Sequence, residues 1–594
     1  MTVNIRHGAQ NEYVVVRCLR QGASCRSAYD SRDARRAGIR HERPMQRALC
    51  LASAFAFGLG FSFVIASPAW SANMNPEPSI PELQAKMASG QLTAETLVQH
   101  YLERINALNS QGPALHAIIS INPDALAQAH ALDQERRQHG ARGPLHGIPV
   151  LLKDNIESAD RMPTTAGSLA LADNFAVQDS PVAAALRAAG AIILGKTNLS
   201  EWANFRSDHA SSGWSAVGGL TRNPYVLDRT PCGSSSGSAV GVAAGMAPAS
   251  IGSETDGSIT CPASMTGIVG LKPTLGLLSQ RGIVPIAHSQ DTAGPMARSV
   301  ADVATLLTAL VSHGAGDCQT ASSQPASSQP AKGPCDAIDY AAGLDPQALR
   351  GKRIGVLRFK VGSHPEMVEV YERALRQLRQ AGATLVEVQS PDTAALEAAE
   401  LKVLLSEFKA GINAYLAATP AAVKTRDLTQ LIDFNRSSLY ELELFGQDIF
   451  LKAQATAGLE DADYRSALEE SKRLAGAAGI DALLQQQHLD LLVAPTTSAA
   501  WRVDLVYGDR NGDSYTTLAA VAGYPHLSVP MGQVQELPVG LSFIGPAWSE
   551  QLLLACGNAF SQRSGALPAP QYLPTLETAA AAAATVSPGG PRVP

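Results

Sequence analysis

Apolar and polar positions along the chain alternate between a pattern typical of buried strands and one typical of helices. Short continuous apolar runs predict strands, which are expected at 147–152, 191–194, 353–357, 383–388 and 491–493. Between the third and fourth of these runs, apolar residues recur at helical spacing from about His364 to Ala381. This alternation predicts an α/β fold in which helices cover a sheet.

Helix-start signals agree with this interpretation. The segment Ser79-Ile-Pro-Glu82 has the form of a capping box, in which a serine side chain and a glutamate three residues later satisfy free backbone donors. Thr93 is predicted to cap a second helix, whose apolar face carries Leu97, Val98, Tyr101, Leu102 and Ile105. Residues from about 390 to 485 are predicted to be mostly helical.

The apolar run at 49–66 has a different character. Arg47 precedes it and small residues follow it up to Ser71, which is the layout of a secretory signal peptide at 45–71. Met45 is then the expected true start, and residues 1–44 form an untranslated or disordered extension. A membrane anchor is the alternative, but the run is short for a spanning helix and its small-residue exit favours cleavage. We therefore expect an exported protein, periplasmic or secreted, without a stable membrane anchor.

The remaining chain predicts one large domain from 72 to 575. A duplicated Ser/Gln/Pro segment forms a low-complexity loop at 319–334, and the Ala/Pro/Gly-rich tail at 576–594 is expected to be disordered. The formal net charge is −6, and basic residues concentrate in the first 44 positions. The domain itself is thus acidic, which argues against a nucleic-acid partner.

Candidate chemistry lies in two serine-glycine clusters and a lysine. The clusters are Cys232-Gly-Ser-Ser-Ser-Gly-Ser238 and Gly252-Ser-Glu-Thr-Asp-Gly-Ser-Ile259, and Lys153 stands at the end of the first predicted strand. Taken singly, such clusters are more often flexible loops, and a Lys-Asp pair is more often a surface pair. Here both clusters run into small apolar residues, which is typical of turns in a packed core. Two serines and a lysine suffice for an acyl-transfer site without histidine.

The order of these motifs resembles the amidase signature family. The matching blocks are Lys153-Asp-Asn155, Gly233-Ser-Ser-Ser-Gly237, Thr255-Asp-Gly-Ser-Ile259, Gly270-Leu-Lys-Pro-Thr274 and Asp291-Thr-Ala-Gly-Pro-Met-Ala-Arg298. The resemblance extends from about Ser79 to about Leu573, and the motif variants are most similar to the family's bacterial peptide amidase branch. It implies a single α/β domain with a mixed β-sheet sandwiched between helical layers.

The resemblance also implies a role for each site residue. Ser258 is expected to be the nucleophile that forms the acyl-ester, Ser234 the relay, preceded by a cis peptide bond, and Lys153 the general base. A free lysine has a pKa of about 10.4 and is protonated at neutral pH, but burial lowers that value by up to roughly 3 to 5 units. The implied oxyanion donors are four consecutive backbone N–H groups, those of Thr255, Asp256, Gly257 and Ser258.

The predicted function is hydrolysis of carboxamide C–N bonds by an exported amidase, foremost the C-terminal amide of peptides, through a Ser-Ser-Lys triad and an acyl-enzyme. Another amidase-signature hydrolase (an aryl-acylamidase, an aliphatic amidase or an esterase) is the nearest alternative, and a non-catalytic peptide-binding protein is a more distant one. The expected partner is a small-molecule or peptide amide. No metal-ligand spacing and no phosphate-binding glycine loop occurs in the sequence, so no metal or cofactor is predicted.

Two further residues near the motifs need an interpretation. Asp256 stands where the family commonly has a glycine, and an ionised carboxylate facing the oxyanion would oppose its charge. We expect Asp256 to hydrogen-bond within the protein instead. His288 is expected to be structural or to line the pocket, because Lys153 already fills the role of the base.

Four of the eight cysteines form two pairs by their position in the sequence. Cys232 and Cys261 lie in the catalytic clusters and are interpreted as small buried residues. Cys318 and Cys335 bracket the low-complexity loop, where a disulfide and two free thiols are both open possibilities.

Overall fold

An eleven-stranded mixed sheet is the centre of the fold in the computed structural model. The structure describes residues 77–316 and 338–576, except 359, 363, 390, 392, 511 and 512. The predicted leader at 45–71, the extension before it, the loop at 319–334 and the tail beyond 576 lie outside the described residues. The possible Cys318–Cys335 disulfide lies outside them too.

The sheet contains two parallel groups of strands and a continuous antiparallel region between them. Its strands are β1 (Ile118–Ile121), β2 (Pro149–Lys153), β3 (Ile192–Thr197), β6 (Ala249–Glu254), β7 (Val269–Lys272), β8 (Thr292–Ala297), β9 (Arg353–Val356), β10 (Thr384–Glu387), β11 (Leu491–Pro495), β12 (His526–Val534) and β13 (Leu537–Ile544). Their order is β1-β3-β2-β6-β8-β7-β12-β13-β11-β9-β10. Strands β3, β2 and β6 are parallel, as are β11, β9 and β10, and the other neighbours are antiparallel. A separate two-stranded ribbon pairs β4 (Trp214–Ser215) with β5 (Gly219–Leu220).

Helices cover both faces of this sheet. They are α1 (Ile80–Ala88), α2 (Ala94–Ile105), α3 (Ala125–His139), α4 (Pro181–Ala188), α5 (Ser236–Ala243), α6 (Thr260–Thr266), α7 (Val300–Ser312), α8 (Pro365–Gln380), α9 (Ala394–Ala418), α10 (Leu428–Ser437), α11 (Asp448–Gln454), α12 (Ala462–Ala475), α13 (Asp481–Gln486), α14 (Thr517–Ala522) and α15 (Glu550–Ser564).

Side-chain alternation along β8 separates the two layers. Met296 packs with residues of α5 and α6, whereas its neighbour Ala297 points to the opposite face and joins the core beneath α7 and α15. Because successive side chains of a strand point to opposite faces, α5 and α6 lie on one side of the sheet and α7 and α15 on the other. The predicted mixed sheet between helical layers is therefore confirmed.

The predicted elements occur with small shifts at their ends. Ser79 and Glu82 form the expected capping box of α1, and Thr93 caps α2. The strand predicted at 147–152 extends to Lys153, and every residue of it is buried. Among the described residues, no helix combines the length and the apolar character needed to cross a bilayer.

Candidate active site

Strands β2 and β6 bring the predicted site residues together. The two strands are adjacent and parallel, pairing Val150 with Ala249 and Leu152 with Ile251. Parallel neighbours end at the same edge of a sheet, so Lys153 at the end of β2 and the segment that follows Glu254 at the end of β6 lie side by side. The lysine and the second serine cluster therefore meet, although about 100 residues separate them in sequence.

Lys153 is fully buried at this edge. Its Nζ atom lies 2.8 Å from the Ser234 Oγ, 2.9 Å from the Ser253 Oγ and 3.0 Å from the Ser253 carbonyl oxygen. Burial lowers the pKa of Lys153 to about 7, and the nearby Asp291 and Glu254 carboxyls oppose this shift only in part. Near neutral pH, Lys153 is thus a neutral amine in a substantial fraction of the protein molecules.

Ser234 lies two residues before the start of α5 and follows the expected cis peptide bond from Gly233. Its carbonyl oxygen accepts a 3.1 Å hydrogen bond from the Ser200 N–H. The next residue, Ser235, donates its hydroxyl to the Ser253 carbonyl oxygen at 3.0 Å. These bonds fasten the loop to β6 and to the segment that follows β3, and the Ser234 hydroxyl lies against Lys153.

Ser258 lies in the turn between β6 and α6 and is 7% exposed. Its carbonyl oxygen accepts a 3.0 Å hydrogen bond from the Ser235 N–H, which joins the two serine loops through their backbones. Within the described residues, the hydrogen bonds include one between Lys153 and Ser234 but none between the Ser234 and Ser258 hydroxyls. Catalytic hydrogen bonds are often loose without substrate and shorten in the reacting complex.

The turn before Ser258 presents backbone donors. Gly257 has a φ of +76°, a conformation that L side chains rarely adopt. Across the described ranges, the N–H groups of Asp256, Gly257 and Ser258 have no hydrogen-bond acceptor in the protein. The Glu254 carboxylate instead accepts the next two N–H groups, at 2.8 and 2.9 Å, and so caps the start of α6. The N–H groups of residues 256–258 are therefore free to donate hydrogen bonds to an oxyanion.

A polar network holds the first residue of this turn. The Thr255 hydroxyl donates a 2.6 Å hydrogen bond to Asp291, whose other carboxylate oxygen accepts the Ile286 and Ala287 N–H groups. The Gln290 amide donates to the Thr255 carbonyl oxygen at 3.3 Å and to Glu400 of α9 at 2.8 Å. The orientation of the Thr255–Asp256 peptide is thereby fixed from both sides.

The expectations for Asp256 and His288 agree with the observed contacts. The Asp256 carboxylate accepts a 2.7 Å hydrogen bond from the Thr517 hydroxyl, and burial raises its pKa. The His288 side chain is 62% exposed and lies 3.2 Å from Glu407. In the described part of the chain it has no contact with Lys153, Ser234 or Ser258 among the recorded hydrogen bonds and ion pairs.

The structure corrects the interpretation of two cysteines. Cys232 and Cys261 are buried, as predicted, but they are joined by a disulfide, with Cα atoms 5.9 Å apart. The sequence did contain a signal for this bond, because each cysteine lies beside one of the two serine clusters and the fold brings those clusters together. Ser253, the second hydroxyl against Lys153, was also missed, because nothing in its serine-rich segment distinguishes it from its neighbours.

The geometry of this site suits acyl transfer. Ser258 shares its turn with free backbone donors, and a second hydroxyl, on the neighbouring loop, touches a buried amine of lowered pKa. This set can supply a nucleophile, a proton acceptor and stabilisation of a negative oxygen.

Comparisons with known proteins agree with this chemistry. The sequence model of the Amidase family matches residues 96–554. A probable amidase of Arabidopsis thaliana is 37% identical over 506 residues, covering 84% of this chain and 92% of that protein. The crystal structure of native peptide amidase from Stenotrophomonas maltophilia is 51% identical, covers 84% of this chain and 99% of that one, and superposes with a TM-score of 0.77. A structure of peptide amidase with the competitive inhibitor chymostatin is 52% identical, with coverages of 83% and 99% and a TM-score of 0.78.

Proposed function

This chain belongs to the amidase signature family and is a hydrolase of linear amides, and we propose that it removes the C-terminal carboxamide of peptides through Ser258, Ser234 and Lys153. The observation that carries the catalytic part is the buried Lys153 amine, 2.8 Å from the Ser234 hydroxyl and with a pKa of about 7. The substrate part is supported by similarity over nearly the whole length of peptide amidase.

In the proposed acylation step the Ser258 oxygen attacks the carbonyl carbon of the terminal amide. The proton of Ser258 passes to the Ser234 oxygen as the proton of Ser234 passes to the neutral Lys153 amine. A neutral amine donates two hydrogen bonds and accepts one, which matches the two Ser253 oxygens and the Ser234 hydroxyl around it. An ammonium has no free electron pair and cannot accept that proton.

The tetrahedral intermediate carries a negative oxygen, which the free N–H groups of the turn at 255–258 are proposed to bind. Losing one such donor typically raises the barrier by about 3 to 4 kcal/mol. The protonated lysine then returns a proton through Ser234 to the leaving nitrogen. Ammonia departs, and the peptide remains as an ester on Ser258. Water hydrolyses the ester by the same relay, which leaves a free carboxylate and regenerates Ser258.

The substrate class is tested with one peptide supplied as its C-terminal amide, its anilide and its methyl ester. We expect ammonia release from the amide by the purified wild-type protein. Hydrolysis of only the anilide or the ester would place the protein among the other hydrolases of the family, with the same site residues. A protein that hydrolyses none of the three and binds the peptide amide would be a peptide-binding protein.

We also propose that the protein is exported. The support is the signal-peptide pattern at 45–71 together with the Cys232–Cys261 disulfide, a bond that persists in oxidising compartments and is rare in reducing ones. Fractionation of the native host followed by N-terminal sequencing tests this proposal. We expect a mature N-terminus near residue 72 in the periplasm or medium, whereas an intact chain found only in the cytoplasm would contradict it.

A further inference from the structure

The Cys232–Cys261 disulfide spans the two catalytic serine loops. Cys232 stands two residues before Ser234, and Cys261 stands three residues after Ser258, in the first turn of α6. The bond therefore connects the loop that carries the relay to the helix that follows the nucleophile.

The backbone at Cys232 is strained, and the hydrogen bonds that hold it are local. Cys232 has a φ of +58°, in the left-handed region that residues with a Cβ rarely occupy. Its N–H donates to the Thr230 hydroxyl at 3.0 Å, and its carbonyl oxygen accepts from the Ser236 hydroxyl at 2.6 Å. Both partners lie within the same short segment, 230–236, so these bonds shape that segment without attaching it to the nucleophile.

The attachments to the nucleophile segment differ on the two sides of Ser234. After Ser234, hydrogen bonds from Ser235 reach the Ser253 and Ser258 carbonyl oxygens. Before Ser234, in the described structure, no hydrogen bond joins residues 230–233 to residues 252–261. The disulfide is thus the bond that attaches this side of the loop to the nucleophile segment.

We propose that the Cys232–Cys261 disulfide positions the Ser234 hydroxyl relative to Ser258, so that reducing it lowers turnover reversibly. This inference rests on the proposed roles of the two serines. With the bond intact, the relay loop is held from both sides. Without it, the strained backbone at Cys232 relaxes, and the Ser234 hydroxyl moves away from the line between Lys153 and Ser258. A displacement of about 1 Å in a catalytic group costs up to roughly 100-fold in rate.

Reduction is a balanced two-electron exchange with a dithiol such as dithiothreitol. One reductant thiolate attacks a protein sulfur, which breaks the disulfide and releases the other cysteine as a thiolate. The second reductant thiolate then displaces the remaining cysteine, and the reductant closes into its own disulfide. Two protein thiols result. Cys232 and Cys261 are 6% and 8% exposed, so attack is expected to be slow but not blocked.

The test compares three proteins on a peptide amide at 25 °C: wild type, Cys232→Ala/Cys261→Ala, and the control Cys318→Ser/Cys335→Ser. Alkylation and mass analysis establish which cysteines are reduced. We expect the kcat of the double alanine variant, and of dithiothreitol-treated wild type, to fall about 10- to 100-fold with KM within about twofold. Removing the reductant and then reoxidising the protein with oxidised glutathione should restore the wild-type kcat. The control variant should lose activity on reduction just as wild type does.

Unchanged kcat in the double alanine variant, or in wild type with Cys232 and Cys261 demonstrably reduced, would overturn this inference even if thermal stability fell. If the double variant does not fold, the test rests on whether wild type loses kcat on reduction and recovers it on reoxidation. Failure of the proposed function would give a different result, because the oxidised wild-type protein would then hydrolyse no amide at all.

Discussion

Replacing Ser258 by alanine will reduce amide hydrolysis at least about 10⁴-fold, because it removes the atom that attacks the carbonyl. The Ser258 hydroxyl forms no recorded hydrogen bond with another described residue, so its loss leaves the fold intact. Steady-state ammonia release and the thermal transition, measured on the same preparations, give both quantities. We expect near-background turnover at an almost unchanged Tm.

A neighbouring serine supplies the matched control. Ser236 is buried, and its hydroxyl donates to the Cys232 carbonyl oxygen, so it supports the loop without taking part in the proposed chemistry. Ser236→Ala should lower stability by about 1 kcal/mol and keep much of the activity. Substantial turnover by purified Ser258→Ala protein, or an equal loss in Ser236→Ala, would refute the assignment of the nucleophile.

The second large effect concerns Lys153 and pH. With a pKa of about 7, the lysine is neutral above that pH and protonated below it. Only the neutral form accepts the relay proton, so kcat/KM should reach a plateau above about pH 8 and fall about tenfold per pH unit well below 7. Lys153→Met keeps an apolar stem in the buried site but has no base. It should lose at least about 1,000-fold in kcat while remaining folded.

Variants of Lys153 distinguish it from a buried carboxyl nearby. Burial raises the pKa of Asp291 to about 6, so the pH at which the rate falls does not by itself assign the titrating group. Lys153→Arg is the charge control, because arginine stays protonated and should be as inactive as the methionine variant. If either variant kept its activity and showed the same pH dependence of kcat/KM as wild type, Lys153 would not be the general base.

Local patterns were sufficient to predict the elements that carry Lys153 and the caps of the first helices. A continuous apolar run identified β2, and the side chains of Ser79 and Thr93 identified the starts of α1 and α2. In these segments the local preference and the tertiary structure agree. The predicted boundaries therefore differ from the observed ones by only a few residues.

Strands β6 and β8 were not predicted, for a physical reason. Strand β6 is rich in Gly and Ser, and β8 contains Gly294 and Pro295, the second of which pairs with Ile251. Proline and glycine disfavour a strand in isolation. Here both strands are central and fully buried, and small side chains let α5 approach closely, as where a Cβ at Gly252 would lie 2.7 Å from the Ser235 hydroxyl oxygen. Packing overrides propensity in such strands.

The motif residues of the candidate site were predicted from the sequence, but the residues that hold them in place were not. Gln290 is held by Glu400, which lies 110 residues further along the chain. Ser253 and the disulfide partners acquire their roles only when β2, β6 and α6 are placed together. Contacts of this kind depend on topology, and local sequence carries no signal for them.

The most direct test of the central claim is to identify the residue that carries the acyl group. An N-acyl peptide p-nitrophenyl ester, whose good leaving group makes acylation faster than deacylation, is mixed with the enzyme, quenched in acid and digested for mass analysis. We predict a burst of one nitrophenol per active site and an ester on Ser258, with neither in Ser258→Ala. An acyl group on another residue, or a full burst in Ser258→Ala, would contradict the mechanism.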